Sequence, residues 1–314
     1  MTAIHPTIGA SPAEPVEVRR VRPEERALAI RVLLGGAAGQ ARRFLDYARE
    51  HSLPLEWLWA AFSPEGMEAV AMLSLNPGRT AMVLFSTPRD EETARLAAAA
   101  LRGTLQDAAS LELALVQALV DPRLELESAA LEQAGFQHLA ELSYLERAVP
   151  RIRPPQPPAP PGVRMDPWDP SERQLLLELL QATYEDTLDC PGLTGLRSGE
   201  DVLDGHMRGG RFDPSLWTIL RIDGRPAGVL LLNATPQAGC VELSYLGLAR
   251  GARGRGLGRL LLERAFRLAA GREEPRMVLA VDDQNAPALR LYEAAGFRRT
   301  LRRRAYIHPL QRPE

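Results

Sequence analysis

The chain lacks lysine altogether, since all 38 basic side chains among its 314 residues are arginines. Schiff-base catalysis, Walker-type phosphate loops and kinase active sites each need a lysine ammonium group, so these chemistries are excluded. Any phosphate must therefore be held by arginine or by backbone N–H groups.

Cysteines and long apolar runs are also scarce. Cys190 and Cys240 are the only cysteines and the five histidines are scattered singly, so no cluster has the spacing of zinc ligands. No apolar run reaches the roughly 18 residues of a membrane span, and the first residues do not read as a secretory signal. We therefore expect no metal site, no membrane association and a cytoplasmic location. A net charge of −2 argues against nucleic-acid binding.

The length of 314 residues is enough for two domains. Segment 150–162 has seven prolines in thirteen positions, which predicts a stiff, extended linker. On either side of it a Gly-Phe pair, 135–136 and 296–297, follows a helical pattern and precedes a strand pattern, which indicates a duplicated unit. We expect domains at 16–149 and 163–312, joined by that linker.

The second half predicts an α/β domain with a mixed sheet. A hairpin is expected where Asp223 and Gly224 separate two apolar runs. The predicted helices are 171–184, 200–208, 256–270 and 286–295, and the predicted strands are 216–222, 227–233, 241–248, 277–281 and 297–307.

The most informative motif is a glycine-rich loop between strand 241–248 and helix 256–270. Gly254, Gly256 and Gly258 leave the backbone bare, and the start of a helix adds roughly half a positive charge, so the loop suits a pyrophosphate. Eight arginines against three glutamates between positions 250 and 276 favour the same ligand. A tight turn without a ligand is the alternative, and the spacing fits a Rossmann motif poorly.

Two motifs resemble the GNAT superfamily of N-acetyltransferases. Arg253-x-x-Gly256-x-Gly258 is similar to its acyl-coenzyme A signature, and the segment from Asn285 through Tyr292 to Gly296-Phe297 is similar to its closing helix and turn. The two halves on either side of the linker are similar to the tandem layout of mycothiol-synthase-like members. The resemblance implies two tandem GNAT-like domains, a sheet whose fourth and fifth strands splay apart, and acetyl-CoA as cosubstrate.

The resemblance also assigns coenzyme contacts. Strand residues would pair with the pantetheine arm, the loop would hold the pyrophosphate with amides and side chains, and Asn285 would contact the coenzyme or simply cap its helix. Gly247 would permit close approach. The strand residues are Leu246, Gly247 and Leu248, and the loop residues are Arg253, Gly254, Arg255, Gly256, Leu257, Gly258 and Arg259.

Two residues are candidates for proton transfer. Tyr292 faces inward on its helix and would protonate the leaving thiolate, with a plain core tyrosine as the alternative. Glu242 lies in an apolar strand and would take a proton from the amine, with a solvent-facing glutamate as the alternative. Regular alternation would place Glu242 and Ser244 on one face of that strand and Tyr245 on the other.

The acceptor is predicted to be a primary amine of a small molecule or peptide. Glu185, Asp186 and Asp189 follow the first helix of the second half and would suit a cationic amine, although a solvated loop is the other interpretation. In the first half, acids replace the glycine loop and Leu131 takes the place of Tyr292. That half is therefore expected to be non-catalytic and to bury a shared interface or shape the acceptor pocket.

The sequence thus predicts an N-acetyltransferase that works as a monomer or homodimer by direct attack in a ternary complex. A non-catalytic acyl-CoA sensor is the alternative from another class. The pair Glu242 and Tyr292 favours the enzyme, because a sensor needs neither residue.

Overall fold

The computed structural model describes residues 16–36, 38–50, 53–155 and 158–310. The strands are β1 (Glu17–Arg20), β2 (Leu58–Ser63), β3 (Gly66–Asn76), β4 (Thr80–Phe85), β5 (Leu115–Val120), β6 (Gln137–Ala148), β7 (Val163–Pro167), β8 (Thr218–Ile222), β9 (Arg225–Thr235), β10 (Cys240–Leu248), β11 (Arg276–Asp282) and β12 (Arg298–Pro309). The α-helices are α1 (Arg26–Leu33), α2 (Ala38–Glu50), α3 (Glu91–Ser110), α4 (Glu125–Gln133), α5 (Arg173–Tyr184), α6 (Gly199–Arg208), α7 (Leu257–Ala269) and α8 (Ala286–Ala294).

The two halves repeat the same order of elements and share one mixed sheet. In the described ranges that sheet has twelve strands in the order β1-β2-β3-β4-β5-β12-β6-β11-β10-β9-β8-β7. The closing strands are exchanged: β12 pairs with β5 of the first half, and β6 pairs with β11 of the second half. The division at 149 and 163 stays a prediction, although the halves interlock through these strands.

The predicted linker joins strands that lie far apart in the sheet. It leaves β6 in the middle and reaches β7 at the edge, five strand spacings or roughly 24 Å away. A polyproline segment gains about 3.1 Å per residue, so thirteen residues cover that span. On its way the linker crosses α7, where Arg267 and Pro154 form a hydrogen bond.

Helices cover both faces of the sheet. In β3, Val70 and Met72 face α1 and α2, whereas Ala71 and Leu73 face α3. The larger core, in the second half, is built from β9, β10 and α7 around the buried ring of Trp217. The predicted hairpin is present: Asp223 and Gly224, with φ of 49° and 80°, connect β8 to the antiparallel β9.

Candidate active site

The parallel strands β10 and β11 are paired only at their beginnings. Three Cα pairs join them, and the last is Glu242 with Val278. Beyond this point β10 continues beside β9 and β11 continues beside β6, so the strands diverge, as the family resemblance implied. In the described ranges the edges of the resulting slot carry backbone groups with no strand partner on that side. The predicted pantetheine-binding residues lie on its β10 edge: Leu246, Gly247 and Leu248.

A β-bulge interrupts the alternation of β10 at Ser244. Asn233 Nδ2 donates to Ser244 Oγ at 3.1 Å and also to the carbonyl of His206 in α6. The Tyr245 hydroxyl donates to Thr183 Oγ1 of α5 at 2.9 Å. Ser244 and Tyr245 therefore point to the same side of the sheet, and the predicted alternation is wrong from Ser244 onward, because a bulge adds a residue without an opposite partner.

The Tyr245 ring lies on the sheet surface that packs against α5 and α6. It packs against Tyr184 and His206, with centroid distances of 5.2 and 5.7 Å. A Cβ on Gly247 would lie 2.6 Å from the Tyr245 ring, so the glycine makes room for this side chain. The predicted role of Gly247 in close approach to pantetheine stays a prediction beside this packing role.

The loop before α7 turns through two glycines in the left-handed region. φ is 74° at Gly254 and 75° at Gly256, and a Cβ on either would point into open space. Gly256 is the N-cap of α7, and no side chain of the described residues caps it. A Cβ on Gly258 would instead lie 3.4 Å from Leu291, so the third glycine lets α7 pack closely on α8. The start of α7 is a bare cluster of N–H groups at the positive end of the helix dipole.

The three arginines of the predicted cradle differ in their contacts. The guanidinium of Arg253 donates to the carbonyls of Leu248, Thr183, Glu185 and Asp186 at 2.7–3.1 Å. This side chain clamps the loop to the end of α5, and its predicted contact with the pyrophosphate stays a prediction beside this role.

The other two arginines of the cradle remain at the surface beside the helix start. Arg255 is exposed, and Arg259 is exposed and pairs with Glu263 at 2.9 Å. Leu257 is buried, so only its backbone is placed for an anion.

Tyr292 is the buried residue of α8, with 6% of its surface exposed. Its ring packs edge-on against Phe297, and its hydroxyl has no hydrogen-bond partner in the described part of the chain. Burial, with the nearby Asp189 carboxylate and Tyr245, raises the pKa of Tyr292 well above its ordinary value. The side chain therefore stays protonated at neutral pH and is available as a proton donor.

Asn285 caps the helix that carries Tyr292. Its Oδ1 accepts a hydrogen bond from the backbone N–H of Ala288 at 3.3 Å. The capping role considered for this residue is thus present, and its predicted coenzyme contact stays a prediction.

Glu242 is half-buried at the point where β10 and β11 separate. It stands opposite Asn233 in the register with β9 and therefore faces α5 and α6. Burial raises the pKa of its carboxyl, and within the described ranges it has no hydrogen-bond or ion-pair partner. A carboxylate that is easy to protonate at the mouth of the slot suits a proton acceptor.

A cavity of about 450 Å³ lies between α5 and α6 and opens beside the slot. On one wall Tyr184 packs on Tyr245 of β10. On another, Cys190 N donates to Asp282 at the end of β11 at 3.2 Å, and Asp282 N donates to Asp189 Oδ1 at 3.1 Å. The cavity therefore leads to the place where the two strands part.

Of the three predicted acceptor-loop acids, Glu185 and Asp189 line this cavity, whereas Asp186 pairs with Arg250 at 3.1 Å. Sequence reasoning missed Arg197, which lines the cavity, and His206, whose ring lies 3.4 Å from the Tyr184 hydroxyl. Burial and the Arg197 charge lower the pKa of His206 to about 4, so its imidazole is neutral at pH 7.

The first half supports this cavity from outside. The turn between β3 and β4 packs so tightly on α6 that a Cβ on Gly78 would lie 2.1 Å from the Asp201 carbonyl oxygen. Leu139 of β6 lies against Gly192 in the segment between α5 and α6. The first half thus positions the segments that form the cavity walls.

A larger cavity, of about 690 Å³, lies between the linker, α7 and α8. Its wall includes Arg259 and Phe266. Neither cavity is lined by Glu242 or Tyr292, but the smaller one is lined by Asp189, whose carboxylate acts on Tyr292. No helix of the described residues is long and apolar enough to cross a membrane. The described residues also contain no group of three or more His, Cys, Asp or Glu side chains placed to hold a metal ion.

Comparisons with known proteins place a family within the second half. Residues 180–297 match the model of the Acetyltransferase (GNAT) family. The mycothiol acetyltransferase of Beutenbergia cavernae is 43% identical over 89 residues, which are 27% of this chain and 29% of that protein. The mycothiol acetyltransferase of Tsukamurella paurometabola is 31% identical over 134 residues, 42% of this chain and 40% of that protein. The matches thus span less than half the length of these curated relatives.

Solved structures extend the likeness over both halves. A GCN5-related N-acetyltransferase from Sphaerobacter thermophilus superposes with a TM-score of 0.63 at 21% identity, covering 95% of this chain and 97% of that chain. A tandem GNAT protein from the clavulanic acid biosynthesis pathway gives a TM-score of 0.50 at 16% identity, covering 96% of this chain and 100% of that chain. At such identities the likeness concerns the fold. The predicted resemblance to GNAT proteins and the predicted fold class are confirmed.

Proposed function

The chain carries a GNAT acetyltransferase domain at residues 180–297, and on this premise we propose that it is an N-acetyltransferase. It moves the acetyl group of acetyl-CoA to the primary amine of a small molecule or peptide, by direct attack with both substrates bound. We take it to work in the cytoplasm as a monomer or homodimer, without a metal ion.

The observation that carries this proposal is the bare start of α7 next to the open strand slot. An N-cap glycine with open space where its side chain would be leaves the first amides of α7 accessible to a diphosphate. The unpaired edge of β10 suits an extended amide-bearing arm, which can pair with it as an added strand would. The two features adjoin each other, as the parts of one long ligand would require.

Acetyl-CoA supplies a thioester, and this chain supplies the proton transfers around it. Glu242 accepts a proton from the incoming ammonium, directly or through a water molecule, so that the amine is neutral when it attacks. The new N–C bond forms and the C–S bond breaks, while a backbone N–H of β10 stabilises the oxyanion. The Tyr292 hydroxyl gives its proton to the leaving thiolate, and the proton released by the acylated nitrogen returns to the Tyr292 oxygen, directly or through a water molecule.

The proposal is tested by thiol release from acetyl-CoA with a panel of amines that includes amino acids, peptides, polyamines and aminoglycosides. We expect release that depends on one class of amine and that falls at least 100-fold in the double variant Tyr292→Phe, Glu242→Gln. Coenzyme binding by calorimetry without release from any amine would instead support the sensor alternative.

The acceptor panel should also contain amines related to mycothiol. Curated relatives are named mycothiol acetyltransferases, which makes this thiol's chemistry one starting point. The matched segments cover only 27% and 42% of this chain, so the acceptor of those relatives is a test compound here.

A further inference from the structure

Arg197 is a half-buried cation without a partner of its own among the described residues. It lies between α5 and α6 in the wall of the 450 Å³ cavity. Within the described ranges it makes no hydrogen bond, and no carboxylate oxygen lies within 4.0 Å of it. Asp201 is the acid that acts on it from farther away, and that carboxylate already accepts from Ser198 Oγ and lies 4.0 Å from Arg79.

Three other half-buried arginines are satisfied by the chain itself, whereas Arg26 and Arg264 have an unpaired Nε but do not line this cavity. Arg221 donates to Glu172 at 2.8 Å, Arg304 donates to Glu141 at 2.7 Å, and Arg253 donates to four backbone carbonyls. A guanidinium that is partly removed from water without an anion is unfavourable. Where the protein offers no anion and the group faces a cavity, a ligand is the natural source of one.

Two charged side chains of the cavity wall, Asp189 and Arg197, lie apart from each other. Asp189 lies toward the slot, where its carboxylate influences Tyr292 and accepts from Asp282 N. Arg197 lies toward α6, near Tyr184 and His206, and does not pair with Asp189. A molecule in the cavity therefore meets negative charge near the reaction centre and positive charge away from it.

We propose that the acceptor is an amino acid or short peptide, and that Arg197 binds its carboxylate while its amine lies at the slot. The planar guanidinium offers two parallel N–H donors, which match the two oxygens of a carboxylate. The volume of about 450 Å³ is sufficient for an amino acid or dipeptide. The identity of the acceptor rests on the proposed function, whereas the carboxylate site is a statement about binding.

The experiment compares matched pairs: amino acids and dipeptides with free carboxylates against the same compounds as C-terminal amides. Binding is measured by calorimetry in the presence of CoA, and turnover by thiol release from acetyl-CoA. For the wild type we expect the free carboxylate to be favoured roughly 30-fold or more in Kd and kcat/KM. Arg197→Gln should abolish this preference by raising KM with little change in kcat, and Arg197→Lys should retain part of it.

Arg208→Gln is the matched control, because Arg208 is exposed on α6 and pairs with Asp204 at 3.7 Å, outside the cavity wall. It should leave the preference unchanged. The unfolding midpoint of Arg197→Gln should change little, since no hydrogen bond or ion pair within the described ranges is lost.

The outcomes separate this inference from the proposed function. Carboxylate-dependent binding that is lost in Arg197→Gln, without any thiol release, would reject the acetyltransferase and keep the carboxylate site. Equal turnover of acids and amides would keep the acetyltransferase and overturn the site. A stronger preference for phosphate-bearing amines such as phosphoethanolamine would also overturn it.

Discussion

The two halves begin their corresponding helices in opposite ways. At α3 the carboxylate of Asp90 accepts from the N–H of Thr93 at 2.8 Å, and the Thr93 hydroxyl accepts from the N–H of Asp90 at 3.1 Å. At α7 the N-cap is Gly256, in the left-handed region, with no side-chain cap from the described residues. The first helix start supplies its own anion, whereas the second leaves its amides for an external one.

The strand opening is common to both halves. β4 and β5 pair in parallel at three positions and then separate, as β10 and β11 do. At the third paired position Met82 stands in the first half and Glu242 in the second. Four residues before the Gly-Phe turn, Leu131 stands in the first half and Tyr292 in the second. The fold alone therefore keeps the slot in both halves. We propose that three positions decide whether the slot can bind and react, namely Asp90/Gly256, Met82/Glu242 and Leu131/Tyr292.

The largest effect is expected at the Leu131/Tyr292 position. Tyr292→Phe removes the hydroxyl proposed to protonate the thiolate, so kcat should fall about 100-fold or more while the Kd for acetyl-CoA changes little. Steady-state kinetics and calorimetry measure the two quantities. Tyr306→Phe is the matched control, because Tyr306 is a buried tyrosine whose hydroxyl donates to Glu132 at 3.0 Å away from the slot. An unchanged kcat in Tyr292→Phe would leave Tyr292 as a core residue.

The second effect is expected when the start of α7 is made to resemble that of α3. Gly256→Asp places a carboxylate at the N-cap, where it competes with the diphosphate for the same amides, so the Kd for acetyl-CoA should rise roughly 10-fold or more. Gly256→Asn is the control, since asparagine is isosteric and tolerates the same positive φ without the charge. Equal affinities of the two variants in calorimetry would contradict the electrostatic argument.

Most elements of the second half could be predicted because their signals are local. Asp223-Gly224 sets a hairpin, Gly271 and Gly296 follow helix ends, and apolar periodicity locates the strands between them. The exchange of β6 and β12 could not be predicted, because both closing strands carry similar patterns and either can pair with either neighbour. Strand pairing depends on packing over long distances in sequence, which no local motif encodes.

The candidate site was predictable where glycine or a family motif marks it. The bulge at Ser244 was missed because no glycine or proline stands there, and it reversed the predicted direction of Tyr245. Arg197 was missed because it lies in an irregular segment without periodicity. Arg253 has the expected position in the loop. Its guanidinium donates to the carbonyls of Thr183 and Glu185, which are distant in sequence and are brought close only by folding.

The third effect concerns the Met82/Glu242 position and pH. Glu242 can accept a proton only when ionised, and burial raises its pKa above the ordinary value of about 4.3. The kcat/KM of the wild type should therefore rise as pH increases through this raised pKa. Glu242→Gln should lower kcat/KM about 10-fold and remove that acidic limb.

Glu146→Gln is the control for the glutamate. Glu146 lies in the same row of the sheet, opposite Val278, but pairs with Arg276 at 2.9 Å. Its replacement should leave the acidic limb of the profile in place. A limb that persists in Glu242→Gln would assign the titration to another group.

The smallest effect is expected at Asp90, where the first half would lose its own cap. Hydrogen bonds from Thr93 lower the pKa of Asp90, so its contribution to stability is present above the unfolded-state pKa and is lost as pH falls through the folded-state pKa. Asp90→Ala should lower the unfolding midpoint at pH 7 on the order of 2 °C, with the difference shrinking below about pH 3.9. Asp90→Asn keeps a hydrogen-bond acceptor at the N-cap, so its unfolding midpoint should fall less than that of Asp90→Ala. Calorimetry should still give one acetyl-CoA per chain, because Glu91 and Glu92 keep negative charge at the start of α3; a second binding event in Asp90→Ala would show that the cap alone silences the first half.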